Sequence, residues 1–157
     1  MKTNKLEIPL TLWRQMFFEL RKRGMGLRES GAFLLARPNS RQVERFICFD
    51  DLDDSALDSG IIMFHANGFV RLWNICMDEG ARVVSDVHTH PDDWTGQSWA
   101  DKSHPMVAQA GHISLIIPDF AQGHGNSLKG VGVHEYLGSH KWKTYSSNET
   151  DLAVILL

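Results

Sequence analysis

Cysteine is scarce in this 157-residue sequence, which contains only Cys48 and Cys76, far apart in the chain. A disulfide framework requires several cysteines, and a zinc ribbon requires paired Cys-x-x-Cys motifs, so the sequence argues against both. We therefore predict that both thiols are buried and behave as small apolar side chains.

Long apolar runs are also missing. No stretch of eighteen or more apolar residues occurs, and the N-terminal sequence MKTNKLEIPLTLW has no continuous apolar segment of the kind found in secretory signals. We expect no membrane-spanning helix, no signal peptide and no membrane partner. We also expect a cytoplasmic location.

The sequence has no excess of positive charge. Sixteen Lys and Arg stand against nineteen Asp and Glu, which gives a net charge of −3. Proteins that coat nucleic acid need a basic surface, so that class of function is disfavoured and no nucleic-acid partner is expected.

Internal repeats, Pro-rich or Ser-rich linkers and low-complexity tracts are absent as well. With 43% hydrophobic residues, the chain suits one compact core. We predict a single domain over residues 1–157.

Helical and alternating patterns predict both helices and strands along the chain. A helix is expected from Pro9 to Arg23, a hairpin from GAFLLAR and QVERFICF, and a buried strand from ARVVSDVH. A short helix near 98–107, a strand HISLIIP and a meander LKGVGVHEYL and KWKTYS follow. The fold class is therefore α/β or α+β, with a mixed sheet flanked by helices.

Three segments between these elements carry more specific predictions. The acidic loop 50–58 is expected to be a solvated surface insertion, and 61–64 a short strand. A helix over about 67–79 is expected to end at Gly80 and to bury one apolar face, made of Val70, Trp73, Cys76 and Met77.

The segment VVSDVHTHPDDWTGQSWAD carries the chemistry. His88 and His90 stand two residues apart at the end of a strand, so both imidazoles project to the same side. Ser98 is placed to cap the next helix, and Asp101, one turn later, is placed to supply a third ligand. Two nitrogens, one oxygen and an open position suit a catalytic Zn²⁺ ion, which predicts a hydrolase.

Such a hydrolase needs a carboxylate that carries a proton from water to the leaving amine without binding the metal. Glu29, just before the first strand of the hairpin, is our candidate. The alternative for the downstream residues is an ordinary capping box, in which Ser98 and Asp101 only begin a helix.

These residues resemble the signature of the JAMM or MPN-plus metalloproteases, also called JAB domains. The family motif is a Glu followed by His-x-His-x7-Ser-x-x-Asp, which His88, His90, Ser98 and Asp101 match. Glu29 in LRESGAFLLAR resembles the family's Glu-x-x-Gly-x-Leu opening with a one-residue variation. The order of elements is similar over nearly the whole chain, which implies the deaminase-like JAB fold.

The resemblance implies roles for each residue. His88, His90 and Asp101 would hold one zinc ion, Glu29 would act as general base and then acid, and Ser98 would donate a hydrogen bond to the oxyanion. The implied activity is cleavage after the C-terminus of a ubiquitin-like modifier, either from a conjugate or from a precursor.

The tract Gly111 to Phe120 resembles small bacterial JAB proteins of antiphage operons, in which E1-like and E2-like enzymes are the implied partners. Two other functions remain open: a metal-free MPN scaffold that only binds partners, and a RadC-like DNA-associated protein, against which the acidic net charge argues.

Several further residues are ambiguous. Trp94 and Trp99 flank Ser98, either as walls of a channel for the substrate tail or as simple hydrophobic cover for the site. The remaining histidines, among them His104 and His112, are predicted to be hydrogen-bonded structural groups and not metal ligands.

Overall fold

The computed structural model describes residues 4–157 and contains helices on both sides of a mixed sheet. The helices are α1 (Leu10–Gly24), α2 (Phe49–Leu52), α3 (Ala66–Glu79) and α4 (Trp99–Ser103). The strands are β1 (Leu6–Ile8), β2 (Gly31–Ala36), β3 (Arg45–Cys48), β4 (Arg82–Thr89), β5 (Ile113–Ile117), β6 (Gly132–Gly138), β7 (Lys141–Tyr145) and β8 (Val154–Leu156).

Within the described residues, six strands form one sheet in the order β3-β2-β4-β5-β6-β7, and β1 pairs with β8 in a separate parallel ribbon. Only the β4–β5 pair of the large sheet is parallel, because the chain crosses over between these strands through α4. The predicted α/β class with a mixed sheet is confirmed. Between residues 4 and 157, no helix is long and apolar enough to cross a membrane.

Strand β2 lies between β3 and β4 in the sheet and is buried along its whole length. Ala32, Leu34 and Ala36 pack into a core against α1, whereas Phe33 and Leu35 pack into a second core against α2 and α3. Since both faces of the sheet are covered, GAFLLA is a continuous apolar run and not an alternating one. Cys48 and Cys76 are free thiols buried in these cores, as predicted.

Helix α3 presents a different face to the core from the predicted one. It buries Gly68, Leu72 and Cys76, which follow one another at four-residue spacing, and it ends at Gly80 as expected. The predicted inward residues Val70, Trp73 and Met77 are instead 57%, 43% and 80% exposed. The prediction failed because apolar residues lie on two faces of this helix, and periodicity alone cannot choose between them.

The acidic segment 50–58 is not a solvated insertion. It forms α2 and a series of turns, and Leu52, Ala56 and Leu57 pack into the second core while most of the aspartates remain outside. The predicted strand at 61–64 is also absent, because this segment makes a backbone hydrogen bond to a neighbouring loop and, among the described residues, none to a strand. Met63 N–H donates to the Ala56 carbonyl.

One aspartate of this segment is buried and ties it to α3. Asp53 accepts hydrogen bonds from the backbone and ring of His65 and from the backbone and hydroxyl of Ser55. Burial alone would raise the pKa of Asp53, but these donors outweigh it and lower the pKa to about 2.

We expect Asp53→Ala to lower the free energy of unfolding by about 2–3 kcal/mol, since hydrogen bonds to a charged group are lost. The folded-state pKa lies below the ordinary 3.8, so the contribution is complete above about pH 4 and is lost as pH falls through about 2. Urea denaturation at pH values from 7 down to 2 measures it. The exposed neighbour Asp54→Ala is the control, and equal effects of the two changes would contradict the assignment.

Candidate metal centre

The C-terminal end of β4 carries the first two candidate ligands. In the β2–β4 register Phe33 is paired with Asp86 and Gly31 with His88, so Asp86 and His88 point to the sheet face covered by α2 and α3. His90 follows on the same side, and its ring centroid lies 5.1 Å from that of His88. The prediction that the two imidazoles converge is confirmed.

The ring of His90 is oriented by the loop that follows it. Its Nδ1 lies 3.0 Å from the Trp94 carbonyl, which can only accept, so Nδ1–H donates and the lone pair of Nε2 faces the site. The Trp94 ring stacks on the imidazole at a centroid distance of 5.4 Å and an angle of 19°. Trp94 is therefore a wall of the site, whereas Trp99 is 78% exposed and touches the ring of His104.

A buried polar network lies beneath His88. Its Nδ1 is 3.9 Å from Asp86 Oδ2, and Asp86 in turn is held by His112 Nε2 at 2.7 Å and by the Ser114 hydroxyl at 3.2 Å. Burial alone would raise the pKa of Asp86, but its contacts with His112 and His88 lower it to about 2. His112 is thus a hydrogen-bonded structural histidine, as predicted, and Asp86 is a buried neighbour of the candidate ligands that the sequence analysis did not identify.

Asp101 reaches the two imidazoles from the first turn of α4. Ser98 is the N-cap: its hydroxyl accepts from Asp101 N–H at 3.1 Å, and Asp101 Oδ2 accepts from Ser98 N–H at 2.9 Å. The capping box is therefore present, but it does not exclude a further role, since the same carboxylate also faces His88 and His90.

The donor atoms have the spacing of a tetrahedral metal site. His88 Nε2 and His90 Nε2 are 3.3 Å apart, and Asp101 Oδ1 and Oδ2 lie 3.4 Å from His88 Nε2 and His90 Nε2, respectively. Ligands at about 2.0–2.2 Å from a tetrahedral ion lie about 3.3–3.6 Å from one another, so the three residues fit a divalent cation.

The charges around the cluster also favour a cation. Burial alone would lower the pKa of His88, but the carboxylates of Asp101 and Asp86 raise it. Burial would likewise raise the pKa of Asp101, yet His88 and His90 hold it well below its usual range. A negative potential that retains a proton on an imidazole favours a metal ion at the same place.

Glu29 lines the same cavity but does not belong to the cluster of three. Continuing the β2–β4 register, in which Ser30 pairs with Thr89, places it beside His90. Its carboxylate accepts from Ile62 N–H, and its own N–H donates to the Gly60 carbonyl. Burial raises the pKa of Glu29, and attraction to His88 and His90 only partly opposes this shift, which suits an acid–base group.

The loop between His90 and Ser98 is held in place by β6. His134 Nε2 lies 2.9 Å from the Thr95 carbonyl, and its Nδ1 lies 2.8 Å from the Thr144 hydroxyl. Gly132 permits this approach, since a Cβ there would lie 2.0 Å from the Thr95 oxygen. The contact of His134 with Thr95 joins residues 39 apart, and no local sequence pattern indicates it.

A second group of catalytic residue types lies outside the cavity of the metal centre and consists of the exposed Ser55 and His65 and the buried Asp53. Here the Ser55 hydroxyl and the Asp53 carboxylate both face Nδ1 of His65, at 3.5 and 2.7 Å. A serine triad needs the hydroxyl and the carboxylate on opposite ring nitrogens, so this arrangement is structural.

Comparisons with known proteins support the fold. No protein-family model matches the chain. The structure is similar to the solution structure of protein DSY2949 from Desulfitobacterium hafniense, with a TM-score of 0.63 and 17% identity over 96% of this chain and 92% of that one. It is also similar to the crystal structure of AF2198, a JAB1/MPN domain protein from Archaeoglobus fulgidus, with a TM-score of 0.52 and 14% identity over 96% and 98%.

The architecture is thus a JAB/MPN fold, as the resemblance implied. At the end of its central strand it carries a His-His-Asp cluster that could hold a metal ion, compatible with the site of JAMM proteins.

We expect the purified protein to bind about one equivalent of Zn²⁺. Asp101→Asn, which retains an oxygen for the Ser98 N–H but loses the charge, should weaken binding at least about a hundredfold. Competition with a chromophoric chelator measures the affinity. His104→Ala, which alters the same cavity outside the cluster, should leave the affinity unchanged. Less than half an equivalent in the unaltered protein would refute the site.

Gly132→Ala should weaken metal binding about 10–100-fold although it changes no ligand, because the displaced Thr95 loop would move the carbonyl that orients His90. The same competition assay measures this. Gly123→Ala is the matched control, since its Cβ would meet only Phe17 at 3.9 Å. Equal affinity in the two variants would show that the loop does not position the ring.

Proposed function

We propose that this protein is a zinc-dependent isopeptidase or peptidase of the JAMM type, which cleaves after the C-terminus of a ubiquitin-like modifier. The observation that supports this proposal is the combination of three candidate ligand residues, whose nearest donor atoms lie 3.3–3.4 Å apart, with a separate, half-buried carboxylate in the same cavity. His88, His90 and Asp101 would hold the zinc ion, and Glu29 and Ser98 would be the catalytic residues.

A zinc ion bound there would lower the pKa of a water molecule to about 7 and polarise the substrate carbonyl. Glu29 takes the proton from the attacking water and later delivers it to the departing amine. A pKa raised by burial suits both steps, because the carboxyl group must accept a proton and then release it near neutral pH.

Ser98 stabilises the negative charge on the carbonyl oxygen in the transition state. Its oxygen already accepts the Asp101 N–H, so the hydroxyl hydrogen remains free to donate into the cavity. The helix cap therefore fixes the position of the hydroxyl oxygen and leaves the O–H group available as a donor. Preorganised donors of this kind contribute more than donors that must reorient during the reaction.

The substrate would be a conjugate or a precursor of a small ubiquitin-like protein. We further propose that the protein acts in a bacterial antiphage pathway with E1-like and E2-like partners, on the basis of the resemblance of the Gly111 to Phe120 tract.

We expect Glu29→Gln to reduce cleavage about 10²–10⁴-fold while the zinc content stays the same, because proton transfer is lost but no ligand is. The assay uses a ubiquitin-like modifier fused at its C-terminus to a fluorescent reporter, with elemental analysis in parallel. Glu44→Gln, at an exposed glutamate paired with Arg37, is the control. Undiminished cleavage in Glu29→Gln, or in the presence of a strong chelator, would refute the mechanism.

Ser98→Gly should reduce kcat about 10²–10³-fold and leave stability within a few tenths of a kcal/mol, since glycine is a tolerable N-cap but offers no hydroxyl. Ser98→Thr restores the donor and should recover most of the rate. Steady-state kinetics and thermal melting separate the two roles. A full rate in Ser98→Gly would show that Ser98 only caps the helix.

A further inference from the structure

The cavity that contains the candidate metal centre is much larger than the centre needs. It measures about 800 Å³, whereas one water molecule occupies about 30 Å³ of liquid. Cavities of several hundred Å³ bind small ligands or short peptide segments. The cavity therefore has room for a ligand beside a metal ion.

One wall of this cavity is made of large apolar side chains. It includes Phe49, Ile62, Phe64, Phe69 and Met106. The rings of Phe49 and Phe64 lie 5.5 Å apart, and those of Phe64 and Phe69 meet edge to face at 4.7 Å. The Phe64 ring packs directly on Gly68, since a Cβ at position 68 would lie 2.5 Å from the ring. The wall is a packed, preformed surface.

This apolar wall is adjacent to a metal ligand. Gly31 pairs directly with His88, and the Phe49 ring fills the position that a Gly31 side chain would occupy, 2.3 Å from its ideal Cβ. One residue of an extended substrate spans about 3.3 Å. A substrate whose scissile bond lies at the metal centre therefore brings a neighbouring side chain onto the wall.

Apart from three histidines, the titratable side chains that line the cavity are all acidic. Its lining includes the carboxylates of Glu29, Asp86, Asp92 and Asp101, and none of the lining residues that the structure describes is lysine or arginine. In the metal-free cavity a free carboxylate on a ligand would find no lysine or arginine as a counter-ion and would be repelled, whereas a bound zinc ion would attract it. Without a bound metal ion, the cavity therefore favours an uncharged, amide-capped ligand over one with a free carboxylate.

We propose that the cavity is a side-chain subsite that selects a bulky apolar residue, of the Leu, Met or Phe class, next to the scissile bond of the substrate. This inference rests on the proposed function only in placing a scissile bond beside the subsite. The binding preference itself follows from the wall and the charges. Burial of such a side chain favours it over glycine by about tenfold to a hundredfold in affinity.

The test uses three probes and the methionines of the protein itself. N-acetyl-phenylalaninamide, N-acetyl-glycinamide and N-acetyl-phenylalanine are titrated into zinc-loaded and into metal-free protein that carries ¹³C-methyl methionine. Met63 and Met106 line the cavity, and Met77 lies on the exposed face of α3, outside the cavity lining. We expect the phenylalaninamide to shift the signals of Met63 and Met106 but not that of Met77. It should bind at least tenfold more tightly than N-acetyl-glycinamide in both forms of the protein, and at least tenfold more tightly than N-acetyl-phenylalanine in the metal-free form.

Variants of the cavity lining test whether the apolar side chains cause the preference for phenylalanine over glycine. Met106→Ala and, at a more exposed position of the lining, Met63→Ala should each reduce the preference for phenylalanine over glycine at least threefold. Met77→Ala, the same change on the exposed face of α3, should not alter it. Because Met63 is about half exposed, its variant is expected to fold even if Met106→Ala does not.

Cleavage assays distinguish failure of the subsite from failure of the proposed function. Modifier fusions carry phenylalanine or glycine on either side of the scissile bond. A retained binding preference without any cleavage would support the subsite and refute the peptidase. Cleavage with equal binding of the phenylalanine and glycine probes would overturn the subsite and leave the peptidase intact.

Discussion

The antiparallel pairing of β2 with β4 is the contact on which the candidate site depends. Its register sets Gly31 against His88 and Ser30 against Thr89, and so brings Glu29, just before β2, to the histidines at the end of β4. Gly31 has no side chain, and the Phe49 ring packs in the space that one would occupy. A slip of one residue would turn these side chains to the opposite face of the sheet and separate acid, ligands and apolar wall.

Around this pairing, the side chains of the site are fixed before any substrate arrives. The Trp94 carbonyl sets the ring of His90, Asp86 and its partners lie behind His88, and the capping box holds Asp101. The loop that supplies Trp94 is in turn held by β6. Most of the polar groups near the cluster are therefore oriented by bonds within the protein. Such preorganisation lowers the cost of placing charge in a half-buried cavity.

The elements that could be read from the sequence are those in which one short pattern determines the geometry. His-x-His at the end of a strand must point both rings one way, and Ser-x-x-Asp must span one helical turn. The buried face of α3 could not be read, because Leu72 and Trp73 offer competing apolar rows, and only tertiary packing selects the first. Two features depend on which strands become neighbours: the hydrogen bonds of Asp86 behind His88, and the contact of His134 with Thr95. Local sequence patterns do not encode which strands pair.

The carboxylate of Asp101 both begins a helix and faces the two imidazoles. These tasks constrain its length. A glutamate would extend the group by one methylene and move the carboxylate from the position in which it meets the Ser98 N–H and both histidines. The three-residue interval is likewise the distance from an N-cap to the end of the first helical turn. The Ser-x-x-Asp spacing thus couples the start of the helix to the candidate metal centre, because one carboxylate contacts both.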